Sequence, residues 1–169
     1  MLKKNVYIFG NSPKCNTEIE IEGSNDLVVL GNGIKHLKDR KFKYWFTRLG
    51  KYDKKFSTLV EKTFIVSPLE HKREEEDNVF WIDGEDIDKY LKPYSLKIYP
   101  TLGLFSILYL KDLYEKVYIS GFALDIKDEY IEYGYFWDKD GKQNNKNHTM
   151  WKEMLFLKKM LKDKMIYEF

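Results

Sequence analysis

The sequence predicts an α/β domain in which a mostly parallel sheet is flanked by helices. Residues 102–110 are apolar on nearly every side, which is typical of a helix buried on most of its faces. Residues 117–120 follow as a short β-branched and aromatic run that Gly121 closes, as expected of a strand. Two earlier apolar runs, at 6–9 and 26–30, also have the length of buried strands. A buried helix that leads into a central strand is the middle of an α/β domain.

Size, composition and charge favour one compact domain over residues 1–169. With 43% hydrophobic and 33% charged residues, the chain is globular rather than disordered. A net charge of +2 from intermixed acidic and basic residues gives no case for binding nucleic acid or a membrane surface. No apolar run has the length of a membrane helix. The single cysteine, Cys15, excludes an intramolecular disulfide and favours a reducing, cytoplasmic location.

Polar side chains follow the first two predicted strands. Asn11 and Ser12 come after residues 6–9, and Asn32 comes after residues 26–30. Ligands bind at the carboxyl ends of the strands in open α/β sheets. Asparagine offers a donor and an acceptor, which suits a base edge or a ribose hydroxyl. The alternative is that these residues only tolerate left-handed turns.

Strands and helices also alternate in the middle of the chain. The sequence predicts a third strand at 42–47, a short helix at 53–60, a fourth strand at 63–66, a solvated charged loop at 71–77 and a helix at 85–91 that Pro93 ends.

The buried helix begins with a cap. Pro100 stops any preceding element, and Thr101 is a suitable N-cap. Because Gly103 is also small, the helix N-terminus is a ready site for an anion. The alternative is a core helix with an ordinary cap.

The segment 121–147 is long, aromatic and polar, which predicts a lid or flap. Its Tyr133, Tyr135 and Trp137 are available to stack on a ring. The alternative is a small hairpin whose aromatic side chains only cover the core.

Residues 150–164 are predicted to form the last helix, and residues 166–167 an edge strand. His148 lies at the start of this helix, where the helix dipole favours the neutral imidazole that can act as a base. The alternative is a capping or surface histidine. Glu153 lies about 140° round the helix from His148, so it is expected to orient the helix or pack locally. Three scattered histidines predict no metal site.

Five segments together resemble sialyltransferases, both the animal type of glycosyltransferase family 29 and the Campylobacter type of family 42. GNSP resembles the start of the large sialyl motif, and LVVLGNG resembles its second strand. PTLGLFSILYL followed by VYISGF resembles the small motif. YGYFWD resembles the aromatic segment before the last motif, and HTMWKE resembles the very small motif, a histidine followed by four residues and a glutamate.

This resemblance implies a Rossmann-like fold, the GT-A variant of sialyltransferases. It also implies metal-independent, inverting transfer of sialic acid or a related acidic sugar from a CMP-sugar to a hydroxyl of a glycan or another acceptor. No cofactor is then needed, and His148 is the general base. The implied donor-binding residues are Asn11, Ser12, Asn32, Thr101, Leu102, Gly103, Gly121, Phe122, Tyr133, Tyr135 and Trp137.

Two further functions stay open on the sequence. The chain lacks both the disulfide of the animal enzymes and a second histidine in the segment just before His148. It could therefore be a CMP-binding module, or a hydrolase that transfers the sugar of a CMP-sugar to water. No oligomeric state is predicted.

Overall fold

The computed structural model describes residues 3–12, 14–37, 39–67, 76–122, 124 and 150–169. These residues form seven strands: β1 (Lys3–Phe9), β2 (Asp26–Leu30), β3 (Tyr44–Thr47), β4 (Lys62–Val66), β5 (Val79–Ile82), β6 (Tyr114–Ser120) and β7 (Tyr167–Glu168). The α-helices of this part are α1 (Lys54–Ser57), α2 (Gly84–Leu91), α3 (Leu102–Leu110) and α4 (Met150–Lys162).

The strands form one sheet in the order β5-β4-β3-β2-β1-β6-β7, and every neighbouring pair is parallel. In the centre, Ile8 of β1 is level with Val28 of β2 and with Ile119 of β6. Central parallel strands are covered on both faces, which is why they are continuous apolar runs in the sequence. The predicted α/β fold with a mostly parallel sheet is confirmed.

Side chains that alternate along each strand build a core on each face of the sheet. Val6 and Ile8 of β1 pack into the cluster that contains α3 and the buried side of α4, whereas Phe9 packs into the opposite cluster. Helix α3 is buried along almost its whole length, as predicted. The carboxyl ends of the strands are thereby fixed against the N-terminus of α3.

Some boundaries differ from the predicted ones. Strand β5 was not predicted, because it follows the charged run and lies at the sheet edge with Phe80 38% exposed. The helix predicted at 53–60 ends after one turn. Its Ser57 and Thr58 hydroxyls donate to the carbonyls of Lys54 and Lys55, three residues earlier. Such side-chain bonds compete with helix continuation.

Candidate functional site

The order in which strands are added to the sheet changes direction between β1 and β6. Strands β2 to β5 add outward on one side of β1, and β6 and β7 lie on its other side. The carboxyl ends of β1 and β6 therefore flank the switch point, where open α/β sheets bind their ligands. The sequence placed Asn11 and Ser12 after one of these strands, and Gly121 and Phe122 after the other.

The loop after β1 crosses directly over the end of β6. The N–H of Gly10 donates to Ser120 O at 2.7 Å, and the N–H of Ser12 donates to Gly121 O at 3.0 Å. A Cβ at position 10 would lie 2.3 Å from Gly121 O, so only glycine allows this approach. Gly121 itself has a φ of +76°, and a Cβ there would lie 2.6 Å from Cys15 Cβ. The loop after β1 and the end of β6 thus form one tightly packed unit.

Asn11 and Asn32 bring unpartnered oxygen atoms to this edge. Asn11 lies beside Gly31, since its Nδ2 would be 3.5 Å from a Cβ at that position. The Oδ1 atoms of both asparagines are buried, and neither accepts a hydrogen bond from the described residues. A buried polar atom without a partner is rare in folded proteins and calls for a ligand, a water or a functional explanation.

The N-terminus of α3 adjoins the same edge. A Cβ at Gly31 would lie 3.8 Å from Leu102 Cδ1. Thr101 caps the helix, because its Oγ1 accepts from the N–H of Leu104 at 3.2 Å. A Cβ at Gly103 would lie 2.5 Å from the Phe122 ring, which explains the small residue there. Leu102, Gly103 and Phe122 are therefore grouped together, as are Asn11 and Gly31.

A carboxylate of the protein itself occupies part of that helix N-terminus. Glu153 of α4 is 3% exposed, and its two oxygens accept from the N–H and the Oγ1 of Thr101, each at 2.7 Å. Burial raises the pKa of Glu153 to about 7, although the Thr101 hydrogen bonds and the charge of Arg48 act to lower it. The carboxylate joins α4 to α3. The sequence predicts that Glu153 orients its helix or packs locally, and it does not predict this contact with Thr101.

Arg48 is the residue that sequence reasoning missed. It directly follows β3, and its guanidinium donates to Pro100 O at 2.7 Å and to the Tyr99 hydroxyl. The guanidinium carbon also lies 4.7 Å from the centre of the Tyr99 ring. Burial lowers the pKa of Arg48, and the neighbouring Tyr99 and Glu153 oppose that shift. Its position right after a strand, like that of Asn32 after β2, was the available signal.

A cavity of about 280 Å³ opens beside the end of β6. Two cations, Lys14 and Lys158, line it together with the acidic Glu168. A polar cavity with two ammonium groups has the chemistry to hold an anion such as a phosphate. Its remaining lining residues are Ile119, Ser120, Gly121, Phe122, Leu124 and Phe169.

Part of the predicted site lies outside the described residues. This applies to His148, Tyr133, Tyr135 and Trp137, and to the lid predicted at 121–147 apart from residues 121, 122 and 124. Among the residues that the structure does describe, no group of histidine, cysteine and acidic side chains could hold a metal ion. Within that same part of the chain, no helix has the length and apolar character to span a membrane.

Comparison with solved structures confirms the fold predicted from the sialyltransferase resemblance. A mammalian sialyltransferase in complex with Gal-beta-1-3GalNAc-ortho-nitrophenol superposes with a TM-score of 0.69 at 13% identity, over 99% of this chain and 69% of the other. The Campylobacter jejuni sialyltransferase CstII, in complex with a substrate analogue, cytidine-5'-monophosphate, gives 0.61 at 17% identity, over 99% and 80%.

A third similar structure is the monofunctional alpha-2,3-sialyltransferase Cst-I from Campylobacter jejuni, with a TM-score of 0.58 at 16% identity over 98% of this chain and 75% of the other. No family model matches the sequence, and no curated protein matches it. At these identities the comparisons establish the fold, which is that of the sialyltransferases.

Proposed function

We propose that this chain transfers sialic acid or a related acidic sugar from a CMP-sugar to an acceptor hydroxyl. The observation that carries this proposal is the pair of buried, unpartnered Asn11 and Asn32 oxygens beside the switch point of a sialyltransferase fold. The N4 amine of cytosine and the ribose hydroxyls are donors that these oxygens can accept from. Binding of the nucleotide there supplies the partners that the two side chains lack.

The remaining donor contacts come from residues beside the same edge. Ser12 extends the loop after β1, and Gly121 and Phe122 border the cavity that Lys14, Lys158 and the acidic Glu168 also line. We assign the nucleotide and its phosphate to this region, because the ammonium groups complement the phosphate charge. Tyr133, Tyr135 and Trp137 are proposed to cover the bound donor by stacking.

The first turn of α3 is proposed to hold the donor's carboxylate or its ribose. The N–H groups of a first helical turn have no partner within the helix, so those of Leu102 and Gly103 can face an anion. The N–H of Thr101 is already bound to Glu153. Thr101 is therefore proposed to support this subsite through its cap, while Leu102 and Gly103 provide the donors.

His148 is the proposed general base. In the inverting reaction the acceptor oxygen attacks the anomeric carbon, and the bond from that carbon to the CMP phosphate oxygen breaks. CMP leaves with the bonding electron pair, and His148 takes the proton of the acceptor hydroxyl. Hydrogen-bond donors and the lysines stabilise the leaving phosphate, so we propose that the reaction needs no metal and no cofactor.

The acceptor is proposed to be a glycan or another hydroxyl compound rather than a nucleic acid. The single, buried Cys15 suits a reducing compartment, so we propose a cytoplasmic location.

The decisive assay follows CMP release from CMP-sialic acid in the presence of EDTA, with and without a panel of galactosides. Release that depends on an acceptor supports a transferase, whereas equal release without acceptor identifies a hydrolase. His148→Ala should lower turnover at least a hundredfold, with CMP affinity changed less than threefold. Exposed His36→Ala is the control and should keep its turnover. CMP binding without any release would identify a binding module and contradict the transferase.

A further inference from the structure

The peptide group between Pro100 and Thr101 is held from both sides by charged side chains. Its carbonyl oxygen accepts from Arg48 Nη2 at 2.7 Å. Its N–H donates to Glu153 Oε1, also at 2.7 Å. The peptide oxygen carries a partial negative charge and the N–H a partial positive charge. A cation beside the oxygen and an anion beside the N–H are therefore both favourable.

These contacts join three separate parts of the chain. Arg48 follows β3, the peptide leads into α3, and Glu153 belongs to the first turn of α4. Arg48 also stacks on the Tyr99 ring and bonds to its hydroxyl, so the guanidinium holds the whole turn before α3. The start of α4 is thereby tied to the end of β3 through a single peptide group.

We propose that Arg48 is a positioning residue of the site: by fixing the peptide between Pro100 and Thr101, it holds Glu153 against Thr101 and so sets where α4 begins. This inference rests on the proposed function, because His148, the proposed base, lies two residues before the start of α4. Arg48 acts on the reaction through Glu153 and touches neither substrate in this proposal.

The charge of Arg48 supports the same conclusion. Glu153 is buried, and burial raises its pKa, whereas the two Thr101 hydrogen bonds and, to a smaller extent, the charge of Arg48 act in the opposite direction. A carboxylate can accept both Thr101 hydrogens, but a protonated carboxyl has one oxygen that becomes a donor. Loss of the Arg48 charge should therefore raise the pKa of Glu153, and protonation changes one of the two hydrogen bonds to Thr101 from an accepted to a donated one.

The test compares Arg48→Gln with wild type. The pKa of Glu153 is measured by NMR on protein with ¹³C-labelled glutamate side chains, and the resonance is assigned from its loss in Glu153→Gln. We expect Arg48→Gln to raise this pKa by about one unit, the lower end of the effect of a nearby opposite charge. Arg48→Lys keeps the charge and should shift the pKa by less than half as much.

Arg40→Gln is a matched control. Arg40 also donates to two backbone carbonyls, those of Thr17 and Ile19, and lies over the Phe9 ring at 5.0 Å. Its loss should disturb the fold in a similar way, yet leave the Glu153 titration unchanged. An equal shift in both variants, or none in Arg48→Gln, would overturn the proposal.

Activity adds a second readout. For Arg48→Gln, a one-unit rise in the pKa of Glu153 predicts that kcat at pH 7 falls about fivefold and recovers above pH 8.5. The KM for the donor should change less than twofold. A uniform loss at every pH would contradict the positioning role. If the wild type shows no transfer while the NMR shift is observed, the proposed reaction fails and the coupling of Arg48 to Glu153 stands.

If Arg48→Gln does not fold, the double variant Arg48→Gln/Glu153→Gln decides. Removing both charges eliminates the uncompensated buried carboxylate, so the double variant should fold and show a cooperative thermal transition at pH 8. A double variant that also fails to fold would refute the coupling.

Discussion

Replacing Glu153 by glutamine should remove a pH dependence of stability that the buried carboxyl creates. Burial raises the pKa of Glu153 from 4.5 to about 7 in the folded protein. Between about pH 4.5 and pH 7, the folded state therefore binds more protons than the unfolded state. The free energy of unfolding contributed by this group is therefore fully present below about pH 4.5 and is lost as pH rises through about 7.

The expected size follows from the shift. A rise from 4.5 to about 7 corresponds to about 3 kcal/mol at about 1.4 kcal/mol per pH unit. Because the side chain is only 3% exposed, solvent screening does not reduce this figure appreciably. Glutamine has the same shape without the charge, so the difference in stability between Glu153→Gln and wild type should move in favour of glutamine by about 3 kcal/mol between pH 4.5 and 8.

Urea denaturation followed by circular dichroism at half-unit intervals from pH 4 to 8.5 measures this difference. Gly50→Ala is the control, since it alters no titratable group and a Cβ there meets no atom within 4 Å, so its difference from wild type should stay nearly constant. A Glu153→Gln difference that changes by less than about 0.5 kcal/mol over the range would refute the reasoning. A buried carboxyl that destabilises the fold near neutral pH is typical of a functional position.

Three further changes probe the packing around the switch point. Gly121→Ala should lower stability by about 2–4 kcal/mol, from the left-handed φ of +76° and the 2.6 Å approach to Cys15 Cβ, and thermal unfolding measures the loss. Gly103→Ala should destabilise the protein because a Cβ meets the Phe122 ring at 2.5 Å, and Phe122→Leu in the same chain should restore at least half of the loss. Cys15 should react with iodoacetamide at pH 8 about a hundredfold more slowly than a free thiol, because burial raises its pKa to about 11.

Gly50→Ala is the control for both glycine variants, since a Cβ at Gly50 meets no atom within 4 Å. A loss at Gly121 no larger than at Gly50 would contradict the packing argument there. For Gly103, additive effects in the double variant would show that Phe122 is not the obstacle. Rapid alkylation of Cys15 in the native protein would show that its thiol is not protected by the fold.

The sequence alone predicts the fold because its central strands are buried on both faces. β1, β2 and β6 each end in a mostly apolar run that a glycine follows, so the existence of these strands can be predicted from the apolar residues and the glycine. β5 lies at the edge beside a charged run, and its half-exposed aromatic side chains carry no comparable pattern. Local patterns thus identify the centre of the sheet better than its edge.

The site could be predicted only where its residues follow a strand or start a helix. Asn11, Asn32 and Thr101 occupy such positions, and the fold brings their elements to one edge of the sheet. The contacts of Arg48 with Pro100 and of Glu153 with Thr101 each span 52 residues. No local pattern reports a pairing at that separation, so the hydrogen bonding of this peptide group emerged only from the structure.

The most direct test of the proposed donor site is a calorimetric titration with CMP in EDTA, compared with UDP and GDP. We predict selective CMP binding that weakens about tenfold in Asn11→Ala and in Asn32→Ala, the value of one hydrogen bond to a buried acceptor. Asn25→Ala, which changes a turn before β2 at the opposite end of the strand, should bind as wild type does. Equal affinity for all three nucleotides, or full CMP affinity in both site variants, would contradict the account.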